Sequence, residues 1–346
     1  MDFERAKKRL EGCYITVPTM FRDSDLAVDI AATRRNVRFL LENGITERYG
    51  TLLAGGAAGD FSTMSFEERV SVCEAVVAEA NGRVPVAMGA QTTSTLELRR
   101  LAKAAREAGA EFIQVSCPFY FTHTEEDFFE YVAAAAEAGA EFIQVSCPFY
   151  FTHSEEDFFE HVAAAAEAAD IGIIIYNTFW TSAAVSFAMV ERLIKIPNVV
   201  GLKWATPRTD AMEFEDVIDH FKDRLCIIDN HLQFAASHMM GARAFEVHLC
   251  NHWPEWGIRL IDNLEAGRHR EVQQALVREA MPFYKLWVEI EKTYTSGDGY
   301  LDKLCMELVG LDSSRCRPPT RDIRKLYRDR TRRMLIETGV PRVLPA

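Results

Sequence analysis

The sequence predicts an α/β protein, a (β/α)8 TIM barrel with a duplicated βα unit and a C-terminal helical appendage. Three observations predict it. Short apolar runs alternate with amphipathic helical patterns along most of the chain, which favours a parallel barrel over an open sheet. Polar side chains able to move protons stand at the ends of two of the runs. After about Glu255 the runs stop and helical patterns take over.

Taken in order, strands are expected to begin near Cys13, Gly50, Pro85, Glu111, Glu141, Ile171, Val199, Leu225 and Phe245. Most are followed by a helix such as Ala27 to Leu41 or Phe66 to Ala80, and Ser186 to Ile194 forms the crossover between two parallel strands. The tail reads as helices over Trp256 to Ala266, His269 to Thr293, Gly299 to Val309 and Thr320 to Thr338. The expected division is therefore a barrel over 1–255 and a helical region over 256–346.

The strand series holds one more member than an eight-stranded barrel needs, because residues 108–137 and 138–167 are near-identical copies. They differ only at Thr124 against Ser154 and Tyr131 against His161. Two copies fall short of a solenoid. Strand number, tilt and shear are linked in a closed barrel, whereas a longer connection costs little closure entropy. The expectation is that eight strands close, the second copy supplies the barrel unit, and the other copy is accommodated outside under other cover.

Function is carried first by Val199-Val200-Gly201-Leu202-Lys203-Trp204-Ala205, a buried-strand pattern with a lone lysine near its end. Desolvation lowers a lysine pKa, and the neutral amine so produced attacks carbonyls. The run Ile171 to Asn177 ends likewise in Tyr176. Period-two alternation and a parallel crossover point Tyr176 and Lys203 into one barrel mouth.

The Tyr176-Asn177 strand end, the Gly201-Leu202-Lys203 strand one βα unit later and the turn Gly55-Gly56-Ala57-Ala58-Gly59-Asp60, followed by Thr63 to Arg69, together resemble the dihydrodipicolinate synthase and N-acetylneuraminate lyase family of class I aldolases. The resemblance runs from Gly12 to about Pro319. It implies that Lys203 forms an imine with pyruvate or a related 2-oxo acid, with no metal or other cofactor, and that Tyr176 relays protons. It further implies a homodimer or homotetramer, because the turns Pro118-Phe119-Tyr120 and Pro148-Phe149-Tyr150 match a family turn whose tyrosine reaches across a subunit interface. Tyr150, or Tyr120 from the other copy, would fill that role.

Departures from the family pattern narrow the activity. The glycine turn usually carries hydroxyl residues where this chain has Ala57 and Ala58, so only backbone N–H groups, including that of Gly56, remain to hold a substrate carboxylate. The place of the arginine that grips a second carboxylate is Thr181, preceded by Phe179 and Trp180. An aromatic wall replaces a charged clamp, which favours a bulky or aromatic aldehyde as the second substrate. The alternatives are a dehydratase of a sugar-derived 2-oxo acid and a non-catalytic descendant that binds a 2-oxo acid.

Alternation along Glu246 to Cys250 places Glu246, His248 and Cys250 on one face, offering His248 as a substrate-binding acid or base. No compact metal-ligand motif is present. The formal net charge of −12 argues against nucleic acid as a partner. Eight cysteines without a CxxC pair, no secretory signal and no long apolar span point to a reduced cytoplasmic protein with no membrane contact.

Overall fold

The computed structural model describes residues 3–92, 94–115, 142–146, 154–168, 172–178, 185–205 and 211–345. Nine parallel strands follow one another in chain order around a closed barrel: β1 (Gly12–Val17), β2 (Gly50–Ala54), β3 (Val86–Gly89), β4 (Phe112–Gln114), β5 (Phe142–Ser146), β6 (Gly172–Thr178), β7 (Val199–Ala205), β8 (Cys226–Asp229) and β9 (Ala244–Glu246). The parallel α/β barrel with a helical C-terminal part is the architecture the sequence predicts.

The strand count corrects the expectation of eight. Strands β4 and β5 come one from each copy of the duplication and pair in register, Ile113 with Ile143 and Gln114 with Gln144. Neighbouring strands of like sequence present matching pleats, so the second copy continues the ladder of the first. Entering the sheet also removes the apolar surface that an excluded copy would expose. Phe112, Ile113 and Val115 of one copy and Ile143 and Val145 of the other are all buried, and their backbone groups gain ladder partners that a lone edge would lack.

The chain forms two compact units. One comprises residues 1–14 and 87–246; the other comprises 15–86 and 247–346.

In the first unit, Ser146, Tyr176, Lys203 and Ile228 are aligned across β5, β6, β7 and β8, beyond a register shift between Ile173 and Ile174 in the β6–β7 pairing. β9 pairs onward with β1, Tyr14 opposite Glu246. The crossover helix Phe187–Leu193 starts where the sequence signals it, with the Ser186 side chain accepting from the Met189 N–H. In the second unit, Ser65 and Glu68 form a reciprocal capping box that starts helix Phe66–Ala80 immediately after the glycine turn. The C-terminal helices are Pro254–Glu265, His269–Ala275, Met281–Thr293, Tyr300–Leu308 and Arg324–Glu337, with a π-helical turn over Leu276–Ala280. Among the described residues no helix is long and apolar enough to cross a membrane.

Candidate active site

Every residue of β7 is buried, as its continuous apolar pattern requires, and alternation decides which way each side chain goes. Trp204 stacks on Phe214 of helix Ala211–Phe221, centroids 5.8 Å apart, which fixes the outer face of the strand. Lys203 therefore points into the barrel, where it is 4% exposed. Tyr176 stands beside it in register on β6.

Three side chains of this unit converge on the Lys203 Nζ. The Tyr14 ring centroid lies 4.6 Å away and that of Tyr176 4.9 Å away, so the ammonium rests against two electron-rich faces. The third is Glu246, the last residue of β9, whose Oε2 accepts a hydrogen bond from Nζ in a buried ion pair. Asn230, just beyond β8, donates to the Tyr176 hydroxyl at 3.5 Å.

The electrostatics correct one expectation. Burial does act to lower the lysine pKa, but the Glu246 carboxylate, with Tyr176 and Tyr14, outweighs it, and Lys203 stands above its ordinary range. The resting side chain is an ammonium. Burial pushes the Tyr14 phenol up to about 12, although the Lys203 charge pulls the other way, so Tyr14 stays protonated near neutral pH.

Other polar groups at these strand ends hold the scaffold. Asn177 donates to the Val185 carbonyl at 3.1 Å and accepts from the Val185 N–H at 2.9 Å, which clamps the chain at the entry to the crossover helix. Asp229 accepts from the His231 N–H and the Ser237 hydroxyl, each at 2.6 Å. Burial raises its pKa to about 6 despite these bonds.

In the second unit, the glycine turn is built by sterics. Gly55 adopts φ +63°, a left-handed backbone that strains any side chain, and a Cβ at Gly56 would lie 2.4 Å from Leu53 Cδ2, which would have to shift to admit it. Gly56 and Ala58 are buried and Ala57 is exposed. Asp60 closes the turn and is held by Lys303 at 2.6 Å, both side chains buried. His248 does not continue the β9 alternation. It opens a 3-10 turn over His248–Asn251, and its Nδ1 lies 3.0 Å from Asp302, with the Trp287 ring 5.5 Å away. His252, buried beside them, is driven down to about 4 by desolvation.

The structure brings Tyr176 and Lys203 together, as the sequence leads one to expect, and it assigns the glycine turn and His248 to the other unit. Tyr120, Tyr150, Phe179, Trp180 and Thr181 lie outside the described residues. Sequence alone does not single out Tyr14. It does place Glu246 on an interior face through alternation, but the side chain it meets is 43 residues earlier.

The dihydrodipicolinate synthetase family model matches residues 10–139 and again 129–338, the two matches overlapping inside the duplicated region. Among similar curated proteins, the 4-hydroxy-tetrahydrodipicolinate synthase of Syntrophus aciditrophicus is 26% identical over 95% of this chain and 99% of its own length. That of Methanopyrus kandleri is 28% identical over 96% and 97%. The match to the Chloroherpeton thalassium enzyme is closer, 38%, but spans 36% of this chain and 40% of that protein. Among solved structures, YagE of E. coli, crystallised with pyruvate, superposes with a TM-score of 0.72 at 19% identity, covering 95% of this chain and 99% of its own. The dihydrodipicolinate synthase of Acinetobacter baumannii with pyruvate gives 0.71 at 21% identity over 96% and 99%. At these identities the structural likeness establishes the fold alone.

Proposed function

The chain belongs to the dihydrodipicolinate synthetase family, whose members are class I aldolase-type lyases, and from that premise we propose that it joins or cleaves a 2-oxo acid and an aldehyde through an imine on Lys203. The observation that carries this reading is the buried Lys203, directed into the barrel with Tyr176 in register beside it. A buried lysine with this surrounding has a chemical use that a solvent-facing one lacks. Pyruvate is the proposed 2-oxo acid, supported by the pyruvate complexes of YagE and the Acinetobacter enzyme.

In this reading the Lys203 amine attacks the C2 carbonyl and Tyr176 carries protons to and from the reacting atoms. The N–H groups around Gly56, Ala57 and Ala58 are assigned the substrate carboxylate by family resemblance, and Tyr150 or Tyr120 of a second subunit the distal end of the relay. No resident metal or other cofactor is invoked. The subunits would form a homodimer or homotetramer, and the protein would work in the cytoplasm. His248 is assigned a supporting substrate contact.

The second substrate is proposed from Phe179, Trp180 and Thr181. Thr181 offers no cationic fork for a carboxylate, whereas the two aromatic residues offer apolar faces, so a bulky or aromatic aldehyde fits better than a charged one. The test is kcat/KM with pyruvate and a series of aldehydes. An aromatic aldehyde should outperform aspartate semialdehyde by roughly tenfold or more, since an unpaired carboxylate in a partly dry site costs about 2 kcal/mol or more. Trp180→Ala should weaken the aromatic substrate selectively. Efficient turnover of aspartate semialdehyde, or an equal loss for every aldehyde, would reject the aromatic preference.

A further inference from the structure

Lys203 rests as an ammonium, and an ammonium has no lone pair with which to attack a carbonyl. The buried site must therefore contain a group that takes the proton. Among the described residues, the groups that act on Nζ are Glu246 from β9, Tyr14 from β1 and Tyr176 from β6. Two are phenols, which take up a proton only when ionised. Glu246 is a carboxylate already hydrogen-bonded to Nζ, with side-chain exposures of 5% for the lysine and 8% for the glutamate.

The geometry points to Glu246 as a catalytic residue that accepts the Lys203 proton before attack and returns it to the hydroxyl that leaves as water. The inference rests on the imine reading above and deepens it. One proton passes from Nζ to Oε2, leaving a neutral amine and a neutral carboxylic acid. The amine lone pair forms the C–N bond to C2, and the carbonyl π electrons move onto oxygen. A second proton moves from nitrogen to that oxygen, giving the carbinolamine. Glu246 then returns the first proton to the hydroxyl, the C–O bond breaks, and water leaves with two of the three original ammonium protons. The nitrogen keeps the third in a protonated imine opposite a restored carboxylate. The cycle consumes no outside acid or base, which suits a nucleophile and an acceptor that are both buried.

The positions are set by the backbone. Tyr14 and Glu246 face each other across the β1–β9 pairing, and Tyr176 and Lys203 across β6–β7, so the acceptor and nucleophile are each carried on a strand rather than on a loop. A counter-ion with no chemical part would show the same ion pair, and the experiment must separate the two roles.

The rate of pyruvate adduct formation, trapped by borohydride and measured across pH, does so in the wild type, Glu246→Gln and Glu246→Asp. The wild-type rate should fall on the acid side, as a carboxylate proton acceptor requires. Glu246→Gln, with unchanged circular dichroism, should form the adduct roughly a hundredfold more slowly at neutral pH and lose that acid limb. Glu246→Asp should keep the limb at an intermediate rate. A folded Glu246→Gln with the wild-type rate and profile overturns the proposal while leaving the imine reading intact. If Glu246→Gln does not fold, Glu246→Asp decides: a rate within about twofold of wild type overturns the role, since a shortened acceptor should slow a positioned proton transfer. No adduct in the wild type itself would instead reject the imine reading on which the role depends.

Discussion

Lys203 and Tyr176 are legible in the sequence because each ends an apolar strand, so the local pattern alone exposes them. Their surroundings are not legible in the same way. Glu246 lies on an interior face by alternation, yet which interior groups meet depends on barrel tilt and register, and the Lys203 charge state follows from that meeting. The expected neutral lysine becomes a paired one for this reason. If Tyr176 relays protons, Tyr176→Phe should lower turnover by about a hundredfold or more with little change in melting; equal activity would make the ring a packing element. His252 supplies a separate pH test. Its pKa is lowered from 6.5 to about 4 in the folded protein, so its contribution to stability is present above the unfolded value and is lost as pH falls from 6.5 through about 4. The amount at stake is about 3 kcal/mol. Thermal melting of His252→Gln should show a shallower loss across that window than wild type, and an unchanged slope would count against a neutral buried imidazole.

Among the elements, the strand and helix positions read closely from sequence. The capping box at Ser65 and Glu68 and the cap at Ser186 fall where the residues signal them. The β9 alternation fails after Glu246, where a 3-10 turn takes His248 to Asp302, because period-two reasoning carries no information about where a strand ends. The glycine turn is also pinned by an element that its own sequence does not announce. Gly299, at φ +68°, precedes helix Tyr300–Leu308, and a Cβ there would lie 2.4 Å from the Ala58 carbonyl oxygen. Gly299→Ala therefore combines a left-handed backbone with a clash against main chain, and should destabilise by about 1–3 kcal/mol in urea unfolding. A change within about 0.5 kcal/mol would mean that helix and turn are free to separate.

For the whole molecule, the duplication decides what sequence could not. The two copies are plain in the chain, but closure is a collective property of all strands, and pairing both copies in register satisfies backbone groups and buries apolar side chains that exclusion would leave open. The family match through residues 10–139 and again 129–338 suggests that either copy can serve the fold. Deletion of 138–167 should accordingly give a folded protein that still reacts at Lys203, checked by circular dichroism and trapping; an aggregated product would show that the ninth strand is required for closure. The central claim is the imine, and its most direct measurement is incubation with pyruvate and borohydride followed by intact mass and peptide mapping. One pyruvyl adduct, mapped to Lys203 and absent from a folded Lys203→Ala, is the predicted result; no adduct with pyruvate or any larger 2-oxo acid, or an adduct on another lysine, would contradict it.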